Sequence, residues 1–104
     1  MIVTNTDSVP DRDVVEILGL VKGNTVRARN VGRDITQSIR NIAGGELKSY
    51  SGLMSDSRDE ALERMEAHAR DLDADAVLNV RFETSEIAQG SAEVLAYGTA
   101  VRLR

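Results

Sequence analysis

The segment SAEVLAYGTAVRLR, residues 91–104, sets large Leu95, Tyr97, Val101 and Leu103 on one side of an extended chain and small Ala96, Gly98 and Ala100 on the other. Side chains alternate across a β-strand, so this period-two pattern predicts a long strand with little polar surface on either face. Such a strand has to be covered on both sides. That requirement restricts the fold more than any other stretch does, because one layer of helices covers only one face of a sheet. A chain of 104 residues has room for a single modest core. The second cover is therefore expected from another subunit.

Composition points the same way. The aromatic side chains are Tyr50, Phe82 and Tyr97, so the core is built from Ile, Leu, Val, Ala and Met, most of which bury less area apiece. A formal net charge of -4 speaks against a general attraction to nucleic acid or to an anionic membrane. With no cysteine there is no disulfide framework, no thiolate nucleophile and no thiolate metal site. No apolar run approaches the roughly 20 residues of a membrane span, and MIVTNTDSVP lacks the charged and apolar regions of a secretory leader. A cytoplasmic location is expected, with one domain over residues 1–104.

Along the chain, NTDSVPD reads as a turn-forming run, and VVEILGLV (14–21) as a strand covered on both faces. KGN (22–24) reads as a turn, and TVRAR (25–29) as an extended edge with Arg27 and Arg29 on one side. Asn30 is placed to cap a first helix carrying Val31, Ile35, Ile39 and Ile42, which the glycines at 44 and 45 stop. ELKSYSGLMSD (46–56) reads as a packed connector. SRDE (57–60) has the form of a capping box, ahead of a second helix with Ala61, Leu62, Met65, Ala69 and Leu72 inward. In DADAVLNVRFE (73–83), strict alternation puts Ala76, Leu78, Val80 and Phe82 on one face and Val77, Asn79, Arg81 and Glu83 on the other. Gln89 and Gly90 mark a hairpin turn into the last strand. The expected class is α+β, with a strand, two helices and two antiparallel strands in two layers.

Four blocks, GLVKGNTVRARNVGRDI, IAGGELKSY, EALERMEAHARDLDADAVLNVRF and AEVLAYGTAV, follow one another over nearly the whole chain. Together they resemble the YbjQ-like family of small prokaryotic proteins. The resemblance implies a dodecin-like α+β subunit in a ring-shaped homo-oligomer of five copies, in keeping with the two-sided strands read from the residues. The family carries a heavy-metal-binding label. This sequence, with no cysteine and one histidine, departs from what that label needs, and the family motif defines no catalytic residue.

The candidate sites follow from residue chemistry. Residues 19–35 hold three glycines and four basic side chains, yet form neither the P-loop nor the dinucleotide-binding glycine pattern. What remains is Arg27, Arg29 and Arg33 around a helix N-terminus, where free N–H groups favour an anion. The alternative is electrostatic contact within the assembly, because residues 17–33 carry four bases and no acid whereas 55–75 carry eight acids and three bases. His68 with Asp71 supplies at most two metal donors, with Arg64 one turn earlier opposing a cation. Asp71, Asp73 and Asp75 lack the glycine and terminal glutamate of a calcium loop. Asn79 and Arg81, on the polar face of a strand, are the candidates to line a central channel. One histidine on an amphipathic helix offers no catalytic triad, and no aromatic accompanies the basic run, as a nucleic-acid surface would require. The reading is a non-enzymatic oligomeric binding or scaffold protein without a cofactor, whose partners are further copies of itself and an unidentified small anion or ligand. Its alternative is a heavy-metal-binding protein.

Overall fold

The computed structural model describes residues 1–28, 45–88 and 91–104. They form β1 (Ile2–Val3), β2 (Val14–Ala28), helix α1 (Gly45–Asp71), β3 (Ala76–Ala88) and β4 (Ser91–Leu103). The strands make one mixed sheet in the order β1-β3-β4-β2, with β1 parallel to β3 and the other pairs antiparallel. The α+β class holds. The first helix expected over residues 31–42 lies outside the described residues, as does the turn at Gln89 and Gly90.

Three elements differ from the sequence reading, each for a local reason. The helix begins at Gly45 rather than Ser57, so the supposed connector belongs to α1 and the capping box is unused. Ser57 is instead fully buried in mid-helix. Its hydroxyl donates to the Leu53 carbonyl at 2.9 Å while its own carbonyl accepts from Thr25 Oγ1 at 3.2 Å, so a polar side chain is tolerated inside without breaking the ladder. KGN is no turn either: β2 runs straight through it for 15 residues. A Cβ on Gly23 would stand 2.3 Å from Met65 N and 2.4 Å from Ala61 O, so this glycine serves close approach of strand and helix.

The third difference is a bulge in β3. Its register with β4 shifts between Leu78 and Arg81, and Asn79 adopts φ 55°, a left-handed conformation that asparagine tolerates better than most residues. Strict alternation fails there. Val77 and Val80 both join the core under the helix, with Val21, Ala61, Met65, Ala69, Val94, Ala96 and Ala100. Ala76 and Leu78 pack with Val101 and Leu103 in a separate cluster flanked by Ile2 and Val9. The added strand β1 explains that second cluster, since residues 2–6 run beside β3 through bonds such as Thr4 N to Val77 O (3.0 Å) and Asn79 N to Thr6 O (2.9 Å).

The small side of β4 faces α1, and Ala96 and Ala100 are fully buried there. The helix ends in a Schellman motif around Asp73 (φ 59°), with Ala74 N bonded to Ala69 O and Asp73 N to Arg70 O. Two i,i+4 ion pairs lie along the helix: Arg64 to Glu60 at 2.5 Å, and Arg70 to Glu66 at 4.0 Å.

Candidate functional site

Three places gather polar or chemically useful side chains. At the first, Arg27 on β2 reaches the carboxylate of Glu60 on α1. Glu60 also accepts from Arg64, whose second guanidinium nitrogen donates to the Asn24 carbonyl at 2.5 Å. The basic and acidic segments thus meet within one chain at Arg27, which spends its charge on Glu60. Each of these pairs is at least one-third exposed, which limits its contribution to about 1 kcal/mol. Arg29 and Arg33 lie outside the described residues.

The second place is His68. Its Nδ1 accepts the Lys22 backbone N–H at 3.3 Å, an arrangement that requires the neutral ring to carry its proton on Nε2. No ring lone pair is then left for a metal unless that bond breaks. Asp71 is exposed at the end of α1. Among the described residues, no three His, Asp or Glu side chains converge as a metal site needs.

The third is an open groove of about 530 Å³ between the β1 side of the sheet and α1, lined by Val3, Thr4, Asn5, Leu62, Val80, Arg81 and Phe82. Its walls are mainly apolar and Phe82 is 43% exposed, because α1 packs chiefly over β2 and β4 and covers β3 only around Val77 and Val80. Arg81 Nη1 donates to the carbonyls of Asn5 (3.2 Å) and Val80 (3.1 Å), holding the guanidinium at the rim. Asn79, paired through the bulge to Thr6, serves backbone geometry beside it. Sequence reasoning had Arg81 but not the groove, which exists only because β1 lies beside β3. Two apolar residues at the start of a chain give no periodicity by which to find that strand.

The chain is 65% identical over 104 residues to a UPF0145 protein of Halorubrum lacusprofundi, covering 100% of both chains. It is 58% identical to a UPF0145 protein of Archaeoglobus fulgidus, covering 100% of this chain and 96% of the other. With a third, from Hahella chejuensis, it shares 54% identity over 97% of each. In fold it resembles the crystal structure of a protein of unknown function in the DUF74 family from Pediococcus pentosaceus, with a TM-score of 0.68 over 100% of this chain and 98% of that one at 16% identity. The YbjQ family model, described as "Putative heavy-metal-binding", matches residues 1–104. The chain belongs to this YbjQ-like family.

Proposed function

We propose that the protein is a non-enzymatic homo-oligomer that acts as a binding or scaffold unit, with the Arg81 groove as its place for a small ligand. The observation that carries this reading is the uncovered apolar surface of β2: Ile17 is 71% exposed, Leu20 66% and Val26 53%. Large exposed aliphatics grouped on one strand mark an interaction surface. The resemblance to the YbjQ-like family favours a ring of five dodecin-like subunits. The groove, with an apolar floor and one guanidinium at its rim, suits a small molecule with an apolar body and an anionic end.

Light scattering on the purified protein at micromolar concentration tests the assembly. A mass several times 11.3 kDa is expected, and a monomer would refute the reading. The heavy-metal alternative rests on the family description. Zinc and copper titration of untagged protein separates the two: stoichiometric binding lost in His68→Ala would replace the scaffold reading with the metal one.

A further inference from the structure

Arg81 is a cation without an anion. Arg27, Arg64, Arg70 and Arg102 each reach a carboxylate, whereas none comes within ion-pair distance of Arg81 among the described residues. Arg12, Arg58 and Arg104 share that lack, but none of them lines the groove. The Arg81 guanidinium is nonetheless fixed. Its Nη1 donates to the carbonyls of Asn5 (3.2 Å) and Val80 (3.1 Å), which occupies that nitrogen. Asn5 is held in turn, because the residues on either side of it are bonded to β3: Val80 N to Thr4 O at 3.0 Å and Asn79 N to Thr6 O at 2.9 Å. The other edge of the planar group, where the N–H bonds of Nε and Nη2 run parallel, meets no acceptor among the described residues.

From this open edge we infer that the groove takes a monocarboxylate with an aromatic body, its two oxygens side-on against Nε and Nη2 of Arg81 and its ring against Phe82. The inference rests on the reading of the groove as a ligand site and names the class of ligand. A carboxylate presents two oxygens in one plane, which two parallel N–H bonds match. A phosphate group brings up to two charges and three acceptor oxygens, and the rim has too little to offer it. Thr6 gives its hydroxyl proton to Ser8 O at 2.8 Å, so in the 2.9 Å contact between the two threonines Thr4 is the donor. The Thr4 hydroxyl therefore has no proton left for a ligand, and Arg81 is the single cation lining the groove. The body of the ligand follows from the floor. Val3, Leu62 and Val80 lie against the core, while Phe82 is 43% exposed, leaving its ring open to contact. Ring pairs attract beyond what buried area alone supplies, and a rigid ring loses less freedom on binding than an alkyl chain does.

The test uses the full chain and calorimetric titration with three probes that share one ring system and differ in head group: naphthoate, naphthyl phosphate and the neutral naphthalenemethanol. Saturable binding of naphthoate is expected, tighter by about tenfold or more than that of the other two, as charge-assisted hydrogen bonds imply. Arg81→Lys keeps the charge but not the parallel N–H bonds, and is expected to lose that advantage. Phe82→Ala should weaken naphthoate several-fold, and Arg58→Ala, outside the groove, should change nothing. Circular dichroism checks that each variant keeps its fold. Decahydronaphthoate, which has the carboxylate without the aromatic ring, is expected to bind more weakly, and equal binding would overturn the aromatic body. Phosphate or alcohol bound as tightly as the carboxylate, with Phe82 needed for each, would overturn the inference and leave the groove standing as a ligand site. Undiminished naphthoate binding in Arg81→Lys would do the same. Binding of none of the probes would remove the groove reading and this inference together, while light scattering decides the assembly on its own. Should the variants not fold, the order of the probes on the unaltered protein decides, with shifts of the Val80, Arg81 and Phe82 amide resonances expected on binding; amides that stay unmoved under saturating naphthoate would sink the inference.

Discussion

Gly23 shows how much can depend on a missing methyl group. The atoms that a Cβ would meet, Met65 N and Ala61 O, are backbone of α1 and cannot swing aside as a side-chain tip can. Gly23→Ala must lift the helix off β2 or bend the strand, and Met65, fully buried at this seam, would lose contacts in either case. The expected cost is about 2 kcal/mol or more, read as a lower urea midpoint with an unchanged slope. At Gly98 the nearest atom to a new Cβ is the Val77 Cγ1 at 2.7 Å, although Leu78 O also lies at 2.9 Å. A side-chain atom yields more readily than a helix backbone, so Gly98→Ala is expected to cost less than Gly23→Ala in the same titration.

At the scale of elements, α1 is held to β2 by the apolar seam and by the polar contacts of Arg64 and His68 with strand backbone. Removing both in Arg64→Ala/His68→Ala is expected to destabilise the fold by about 1–2 kcal/mol, near the net worth of two hydrogen bonds. It would also open the strand edge at 22–24, so rising turbidity on storage is the second expected result. Val14–Val21 was legible as a strand from its β-branched, apolar content, and the second half of α1 and the last strand because each keeps one period. Where the period was broken, reading failed. One extra residue at Asn79 transfers Val77 and Val80 to the same side, and a glycine whose role is contact looks like a turn glycine beside Asn24. Ser57 met every local condition for a cap, yet burial against Thr25 placed it inside the helix. Of the candidate sites, Arg27 and His68 were found as residues but not by role, since their partners, Glu60 and the Lys22 backbone, depend on how α1 lies across β2.

As a whole molecule the chain is long and thin, 55 × 23 × 16 Å, with a radius of gyration of 17.1 Å where a compact chain of this length would have about 13 Å. Strands of 13 to 15 residues and a helix of 27 dictate that shape, and it leaves the ends of the sheet with few neighbours of their own. In the proposed homo-oligomer, stability gained through contacts between copies depends on concentration, so the melting midpoint is expected to fall by about 3–6 °C for each tenfold dilution. A midpoint independent of concentration would mean that the elongated chain is self-sufficient and would count against the proposed assembly. The helix's grip on the edge of β2 also bears on how such a sequence can drift. Arg64 and His68 bond the main chain of Asn24 and Lys22, which every amino acid but proline supplies in full. Positions 22 and 24 can therefore change their side chains without disturbing the contact, whereas 64 and 68 cannot, and the two sides of one interaction would leave no correlated substitutions behind.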